Sequence, residues 1–210
     1  MTCLNPVVIA SSNSGKLKEF EALLTGLFDK VCAQSEFGLS AVPETGASFV
    51  ENALIKARAA AEVAGLPVIA DDSGLVVDAL GGAPGLYSAR YAGPNSDPQA
   101  CMTQVLNELK AVPEKLRTAH FHCTIVLLNH PTDPDPLICQ GRWTGNILFK
   151  PQGTYGFGYD PIFYVPEYKC SAAELKPDIK NIISHRGRAI RQLLHQLPTL
   201  MHGRYIKLKS

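Results

Sequence analysis

The sequence predicts an α/β fold organised on a mixed β-sheet. Three stretches carry that prediction. The chain opens as strand, small-residue loop and helix between Pro6 and Leu27. A helical pattern ending near Gly65 then feeds an apolar run that stops at two adjacent aspartates, Asp71 and Asp72. Further on, two long strand-like stretches are joined by Pro131-Thr-Asp-Pro-Asp-Pro136. Strands alternating with helices favour parallel pairing and a hairpin adds antiparallel pairing, so the sheet is expected to be mixed.

Taken in order, Pro6 to Ala10 is an apolar strand. Ser11-Ser-Asn-Ser-Gly-Lys16 is a turn, with Ser14 a helix cap. Leu17, Phe20, Leu23, Leu24 and Leu27 recur at helical spacing, and Gly26 frays the end. Lys30 to Gln34 is a second strand and Glu36 to Gly46 a loop. A helix from Ala47 or Ser48 runs to Ala64, closed by Gly65 and Pro67. Val68 to Ala70 is a buried strand, Asp71-Asp-Ser-Gly74 a turn, and Leu75 to Val77 a second apolar run. Gly81-Gly-Ala-Pro-Gly85 and Gly93 to Pro98 are loops around a polar-aromatic stretch, Tyr87 to Tyr91. Gln99 to Lys110 is a helix with Val105, Leu106 and Leu109 inward. Arg117 to Asn129 and Leu137 to Phe149 are the hairpin strands. Pro151 to Asp160 is a glycine-rich loop, Ile162 to Val165 a short strand, and Ser171 to Lys176 a helical turn. Ser184 caps a last helix with Ala189, Ile190, Leu193, Leu194 and Leu197 as its stripe.

The 210 residues are expected to form one domain, long enough to bury a core. A hydrophobic share of 46% excludes a disordered chain. The net charge of +1 predicts no general attraction to nucleic acid or to an anionic membrane. No run approaches the roughly 18 apolar residues of a membrane span. The first six residues lack the charged and apolar regions of a signal peptide. Six cysteines, Cys3, Cys32, Cys101, Cys123, Cys139 and Cys170, form no Cys-x-x-Cys pair and are expected to be reduced thiols. In His120-Phe-His-Cys123 the two histidines share a strand face and the cysteine takes the other, which favours a structural role over zinc.

The candidate chemistry centres on Asp71-Asp72. Acids at the end of a buried strand need solvent, a cation or hydrogen bonds. A divalent cation and a tight Asp-Ser-Gly turn with solvated acids are equal readings of the local sequence. Ser11, Ser12, Asn13, Ser14, Gly15 and Lys16 join a strand to a helix, an arrangement that turns N–H groups and hydroxyls toward an anion. The loop is not a Walker A sequence, since Ala10 and Leu17 stand where Gly and Ser/Thr are required. On the following helix Glu51, Arg58 and Glu62 make the solvated stripe. Lys56 and Asn52 face away from it, near Phe49, Ala60 and Val63. Such a lysine either snorkels or meets a phosphate or carboxylate, and the second is favoured. Glu44, in the preceding loop, can reach the same place. Tyr155, Phe157 and Tyr159 stack on a nucleobase or plug the core. Lys180 and Ser184-His-Arg-Gly-Arg188 set cations at a helix start, against its dipole, which suits an acceptor-rich ligand better than a solvated turn. Together these features suit a nucleoside triphosphate with Mg²⁺.

The same residues resemble those of the non-canonical purine nucleoside triphosphate pyrophosphatases, the inosine triphosphatase-like enzymes, and their bacterial dITP/XTP branch above all. The matching blocks are Ser11 to Lys16, Glu44-Thr-Gly46, Phe49-Val-Glu-Asn-Ala53 with Lys56, Ala70-Asp-Asp-Ser-Gly74, Gly81 to Tyr91, Phe157-Gly-Tyr-Asp160 and Ser184-His-Arg-Gly187. They run in family order over essentially the whole chain. The resemblance implies an elongated mixed sheet flanked by helices, two lobes and a central cleft. It implies hydrolysis of XTP, ITP and dITP to the monophosphate and pyrophosphate, Mg²⁺, a homodimer and a cytoplasmic location. By residue, it makes Asp72 a metal ligand and proton acceptor, Glu44 the second metal ligand, and Lys56 catalytic. Asp71 is left to a turn, a water on the metal or a neighbouring cation. Ser11 to Lys16, Lys56 and Ser73 would hold the triphosphate. Phe157, Gly158, Tyr159, Asp160, Lys180, His185 and Arg186 would hold base and sugar. Many relatives carry two acids before Thr-Gly; here Pro43 precedes Glu44, so Glu44 serves alone or metal affinity differs. The rival readings are a pyrophosphatase for other nucleotides and a non-catalytic nucleotide-binding module. A substrate panel separates the first and pyrophosphate release the second.

Overall fold

The computed structural model describes residues 6–40 and 42–201. Among the described residues, seven strands and five α-helices are ordered as β1 (Val7–Ile9), α1 (Ser14–Leu24), β2 (Val31–Ala33), α2 (Phe49–Ala64), β3 (Val68–Val77), α3 (Pro98–Glu108), β4 (Thr118–Leu128), β5 (Leu137–Ile147), β6 (Phe163–Val165), β7 (Cys170–Ser171), α4 (Pro177–Ile183) and α5 (His185–Met201). The strand order across the sheet is β2-β1-β3-β4-β5-β6-β7. β1 pairs in parallel with β2 and β3, while β6 pairs antiparallel with β5 and β7. The sheet is therefore mixed and flanked by helices, as expected from the helical crossovers at one end of the chain and the hairpin in the other half.

Two compact units share the long strands. The first holds residues up to Asp72 with Thr124–Gln140 and the chain from Ala189; the second holds Ser73–Cys123 and Gly141–Arg188. In the first unit Val8, Ala10, Cys32, Val68, Ala70, Val126 and Leu128 pack against Ala53, Ala57, Ala60 and Ala61. Those four alanines form one face of α2, and their small side chains let the helix lie close on the strands. Ser48 caps α2 by accepting from the Glu51 N–H at 3.2 Å, and Gly65 ends it in the left-handed region at φ 62°. In the second unit Leu75, Val77, Phe121, Trp143, Ile147, Ile162, Phe163 and Leu175 build the core with Met102 and Val105 of α3 and Leu109 just after it.

Several sequence expectations need correction. Asn13, not Ser14, caps α1: its Oδ1 accepts from the N–H groups of Gly15 and Lys16 at 2.9 and 3.1 Å, so Ser14 is already helical. The expected turn at Asp71 to Gly74 does not exist, because β3 runs unbroken from Val68 to Val77. Val63 is 61% exposed rather than inward. Both α4 and β7 escaped the sequence reading. The bounds of α2, β4, β5 and the stripe of α5 agree with it; Ala189, Ile190, Leu193 and Leu197 are buried, and Leu194 is half-buried. Cys32, Cys101, Cys123, Cys139 and Cys170 are free thiols, the first four buried; Cys3 and the amino-terminal segment before Pro6 lie outside the described residues. No helix among the described residues is long and apolar enough to cross a membrane.

Candidate active site

β3 carries the centre of the site. Its side chains alternate, so Asp71 and Asp72 leave it in opposite directions. Lys16 of α1 meets Asp71, with its Nζ 3.0 Å from Oδ2. Asp72 meets α2: Lys56 Nζ donates to its Oδ1 at 3.1 Å and Asn52 Nδ2 to its Oδ2 at 3.2 Å. Lys56 also donates to Glu44 Oε1 at 2.8 Å. The inward lysine is thus a carboxylate ligand, and it joins the loop acid to the strand acid. Of the open assignments for Asp71, the neighbouring cation is the one realised.

Both aspartates are buried. Burial pushes the Asp72 carboxyl up from its usual range and Glu44 adds to that, while Lys56 and Lys16 pull it down without cancelling the rise. Burial alone would lower Lys56, but Asp71, Asp72 and Glu44 together outweigh it and hold the ammonium above its ordinary value. Three carboxylates, Asp71, Asp72 and Glu44, stand against two ammonium groups, Lys16 and Lys56. That surplus negative charge on hard oxygen donors fits a divalent cation. No group of three or more His, Cys, Asp or Glu side chains able to hold a metal occurs among the described residues. Asp72 and Glu44, which share the Lys56 ammonium, are the acids that could hold a divalent cation, with water filling the rest of its shell.

The expected anion loop is only partly available. Ser12, Asn13 and Ser14 are exposed, and Ser11, Gly15 and Lys16 half-buried. The Asn13 side chain already receives the N–H groups of Gly15 and Lys16, and Ser11 Oγ that of Asn13 at 3.2 Å. Hydroxyls and the Lys16 ammonium are what this loop can offer a phosphate.

The second unit gathers the remaining residues. Lys180, on the unforeseen helix α4, donates to Asp160 Oδ2 at 2.6 Å, and the same oxygen accepts the Phe157 N–H at 2.8 Å. Lys180 Nζ also sits 4.7 Å from the Phe157 ring centroid. One carboxylate therefore sets both the aromatic loop and the ammonium beside it. Gly156, at φ 77°, is required, since a Cβ there would strike the Asp160 carboxylate. Gly158 follows, also in the left-handed region at φ 61°. Phe157 and Tyr155 are exposed, as a stacking surface would be. Tyr159 is the core plug, buried, with its hydroxyl donating to the Ser88 carbonyl at 2.8 Å.

Ser184-His-Arg-Gly187 is no solvated turn. Ser184 Oγ accepts the Gly187 N–H at 3.1 Å and starts α5. A Cβ at Gly187 would run into the Asn181 carbonyl of α4, so the glycine lets the two helices meet. His185 is buried and lies nearly parallel to Phe121, with centroids 4.8 Å apart. Arg186 is 1% exposed, and its Nη2 donates to Ser73 Oγ at 3.1 Å. Ser73, expected at the phosphates, is thus tied to the arginine. Sequence reasoning left Asn52 out of the site and missed Phe121 beneath His185. The inward face of α2 signalled the first; nothing local signals the second, which comes from a strand more than 60 residues away in the chain.

Comparison with known proteins bears on the family of the chain. The model of the Ham1 family matches residues 7–196. The chain is 53% identical over 194 residues to a dITP/XTP pyrophosphatase of Vibrio parahaemolyticus, covering 92% of this chain and 97% of that one. It is 54% identical over 198 residues to a dITP/XTP pyrophosphatase of Xylella fastidiosa, covering 94% and 100%. A solved HAM1 protein from Coxiella burnetii superposes with a TM-score of 0.86 at 50% identity, covering 93% of this chain and all of that one. The chain belongs to the Ham1 family.

Proposed function

We propose that this protein is a dITP/XTP pyrophosphatase, hydrolysing XTP, ITP and dITP to the monophosphate and pyrophosphate and so removing deaminated purines from the nucleotide pool. The observation that carries the reading is the meeting of Glu44 and Asp72 at the Lys56 ammonium, in a chain about half identical to proteins named for that activity. The chain acts as a single nucleoside triphosphate pyrophosphatase domain. The ion is Mg²⁺; when bound it neutralises phosphoryl oxygens and acidifies water.

Water attacks the α-phosphorus in line, and the bond from that phosphorus to the bridging oxygen breaks. Pyrophosphate leaves, and the proton lost by the water passes to Asp72 or to solvent. Asp72 serves first as metal ligand and second as base. Lys16 and Lys56 stabilise the charge that develops on the phosphates. The serines between Ser11 and Ser14 and the hydroxyl of Ser73 add neutral donors.

Base and sugar are held by Phe157, Gly158, Tyr159, Asp160, Lys180, His185 and Arg186. Phe157 supplies the stacking face, while Tyr159 and Asp160 hold the loop in shape. The guanidinium of Arg186 donates to a 6-oxo group and rejects the 6-amino group of adenine, because a buried donor facing a donor is strongly penalised. The enzyme works as a cytoplasmic homodimer and uses neither nucleic acid nor membrane. Pyrophosphate release from ITP, XTP, dITP, GTP and ATP, with Mg²⁺ and with chelator, tests the proposal. Activity on ATP equal to that on ITP rejects the assignment, as does release that persists under chelation.

A further inference from the structure

Asn52 is 1% exposed, carries no charge, and bridges Asp72 to the loop that carries Glu44. Its Nδ2 donates to Asp72 Oδ2 at 3.2 Å, and its Oδ1 accepts the backbone N–H of Gly46 at 2.8 Å. Gly46 lies two residues after Glu44. The approach is close: a Cβ on Gly46 would stand 2.8 Å from Asn52 Oδ1 and 2.6 Å from Glu51 Cβ. One residue along, the Ala47 N–H is held by Glu51 Oε2 at 2.6 Å. The loop that carries Glu44 is therefore stapled to the first turn of α2 through two consecutive amides. One of those staples also grips the Asp72 carboxylate.

We propose that Asn52 is a positioning residue that sets Glu44 against Asp72 for the divalent cation and the phosphates. The proposal rests on reading those two acids as the metal pair. Lys56 joins the same acids, but a flexible ammonium attracts them without fixing the orientation of either. The planar amide, used at both ends and fixed on a helix, sets the direction in which Asp72 presents its oxygens and the height of the Glu44 loop. Because it is neutral, it leaves the negative charge of the pair intact for the cation. It acts as the hydrogen-bonded outer partner that orients a metal ligand.

The test compares Asn52→Leu, which keeps the volume and loses both bonds, with Asn52→Asp, which keeps an acceptor for Gly46 and loses the donor to Asp72. Gly46→Ala disturbs the clamp from the loop end and stands in if either Asn52 variant fails to fold. Mn²⁺ titrated into each folded protein is followed by electron paramagnetic resonance, and dITP hydrolysis is measured separately. The expected result is a fall of about 10–100-fold in Mn²⁺ affinity and in kcat, with KM for dITP within about threefold of wild type. Mn²⁺ affinity and kcat within about twofold of wild type in a folded Asn52→Leu protein overturn the proposal. A wild-type protein that binds Mn²⁺ and releases no pyrophosphate from dITP rejects the assigned reaction; the Mn²⁺ comparison then decides the clamp by itself.

Discussion

Asp72 is buried, pressed by a second carboxylate and held by a lysine shared with that same acid and by the neutral amide of Asn52. Taking a charge out of water is poorly repaid by such partners, so the proposed chemical role carries a cost in stability. Asp72→Asn removes the buried charge and keeps the shape. Turnover should fall by about a thousandfold or more, while the melting temperature stays level or rises. Near-wild-type kcat in that variant removes the metal assignment. Arg186 makes a second test at this scale. Arg186→Ala should narrow the ITP-to-ATP ratio of kcat/KM, and an unchanged ratio removes the arginine from base selection. Lys180 and Asp160 form a nearly dry pair at 2.6 Å. Asp160→Asn should lower stability by about 1–3 kcal/mol in denaturant titration, because the buried Lys180 ammonium loses a charged acceptor. It should also raise KM for dITP, because a neutral amide oxygen holds the Phe157 N–H and the ammonium less firmly than a carboxylate.

At the scale of elements, β3 shows best what the sequence could and could not say. The apolar runs on either side of Asp71-Asp-Ser-Gly74 were legible, and so was the rule that a continuous strand would part the two aspartates. Continuity itself was not legible, because Asp, Ser and Gly favour turns when read locally. It is tertiary: Lys16 and Lys56 meet the two charges, and Ser88 Oγ takes the Leu75 N–H at 2.9 Å. Helix α4 was missed for a related reason. It has seven residues, begins at Pro177 and has too little length for a periodic stripe, yet it supplies Lys180. By contrast α2, with Ser48, four inward alanines and Gly65, declares itself from end to end.

Strand β4 offers a prediction of its own. Burial and the Arg142 charge depress His120, with His122 adding and Asp78 opposing; burial and Arg142 also depress His122. A depressed folded pKa means that the folded chain binds fewer protons than the unfolded one. The stabilising contribution is thus full above the unfolded value of about 6.5 and is lost as pH falls below it. The urea midpoint should drop from about pH 7 to about pH 5.5, and His120→Gln with His122→Gln should flatten that drop. Equal slopes in the two proteins place the acid sensitivity elsewhere.

For the molecule as a whole, composition set the class and the resemblance of its blocks set the family. The near-neutral charge and ordinary hydrophobic share pointed to a globular chain without choosing among enzymes. Individual roles were less legible wherever a side chain depends on a distant partner, as His185 does on Phe121 and Arg186 on Ser73. A ligand that binds only the folded state raises its melting temperature in proportion to the logarithm of its concentration. dIMP should therefore stabilise the protein more than dAMP at equal concentration, and equal shifts would contradict selection of the base. Light scattering should report a dimer; a monomer at working concentration rejects that part of the proposal.

If a carboxylate and lysine centre splits pyrophosphate from purine triphosphates chosen by their 6-oxo group, the direct test is kcat/KM for dITP and dATP, with pyrophosphate as the measured product and Mg²⁺ present. The expected result is pyrophosphate rather than orthophosphate, and a preference for dITP of at least about 100-fold. Orthophosphate as the product, or equal values for the two nucleotides, would contradict it.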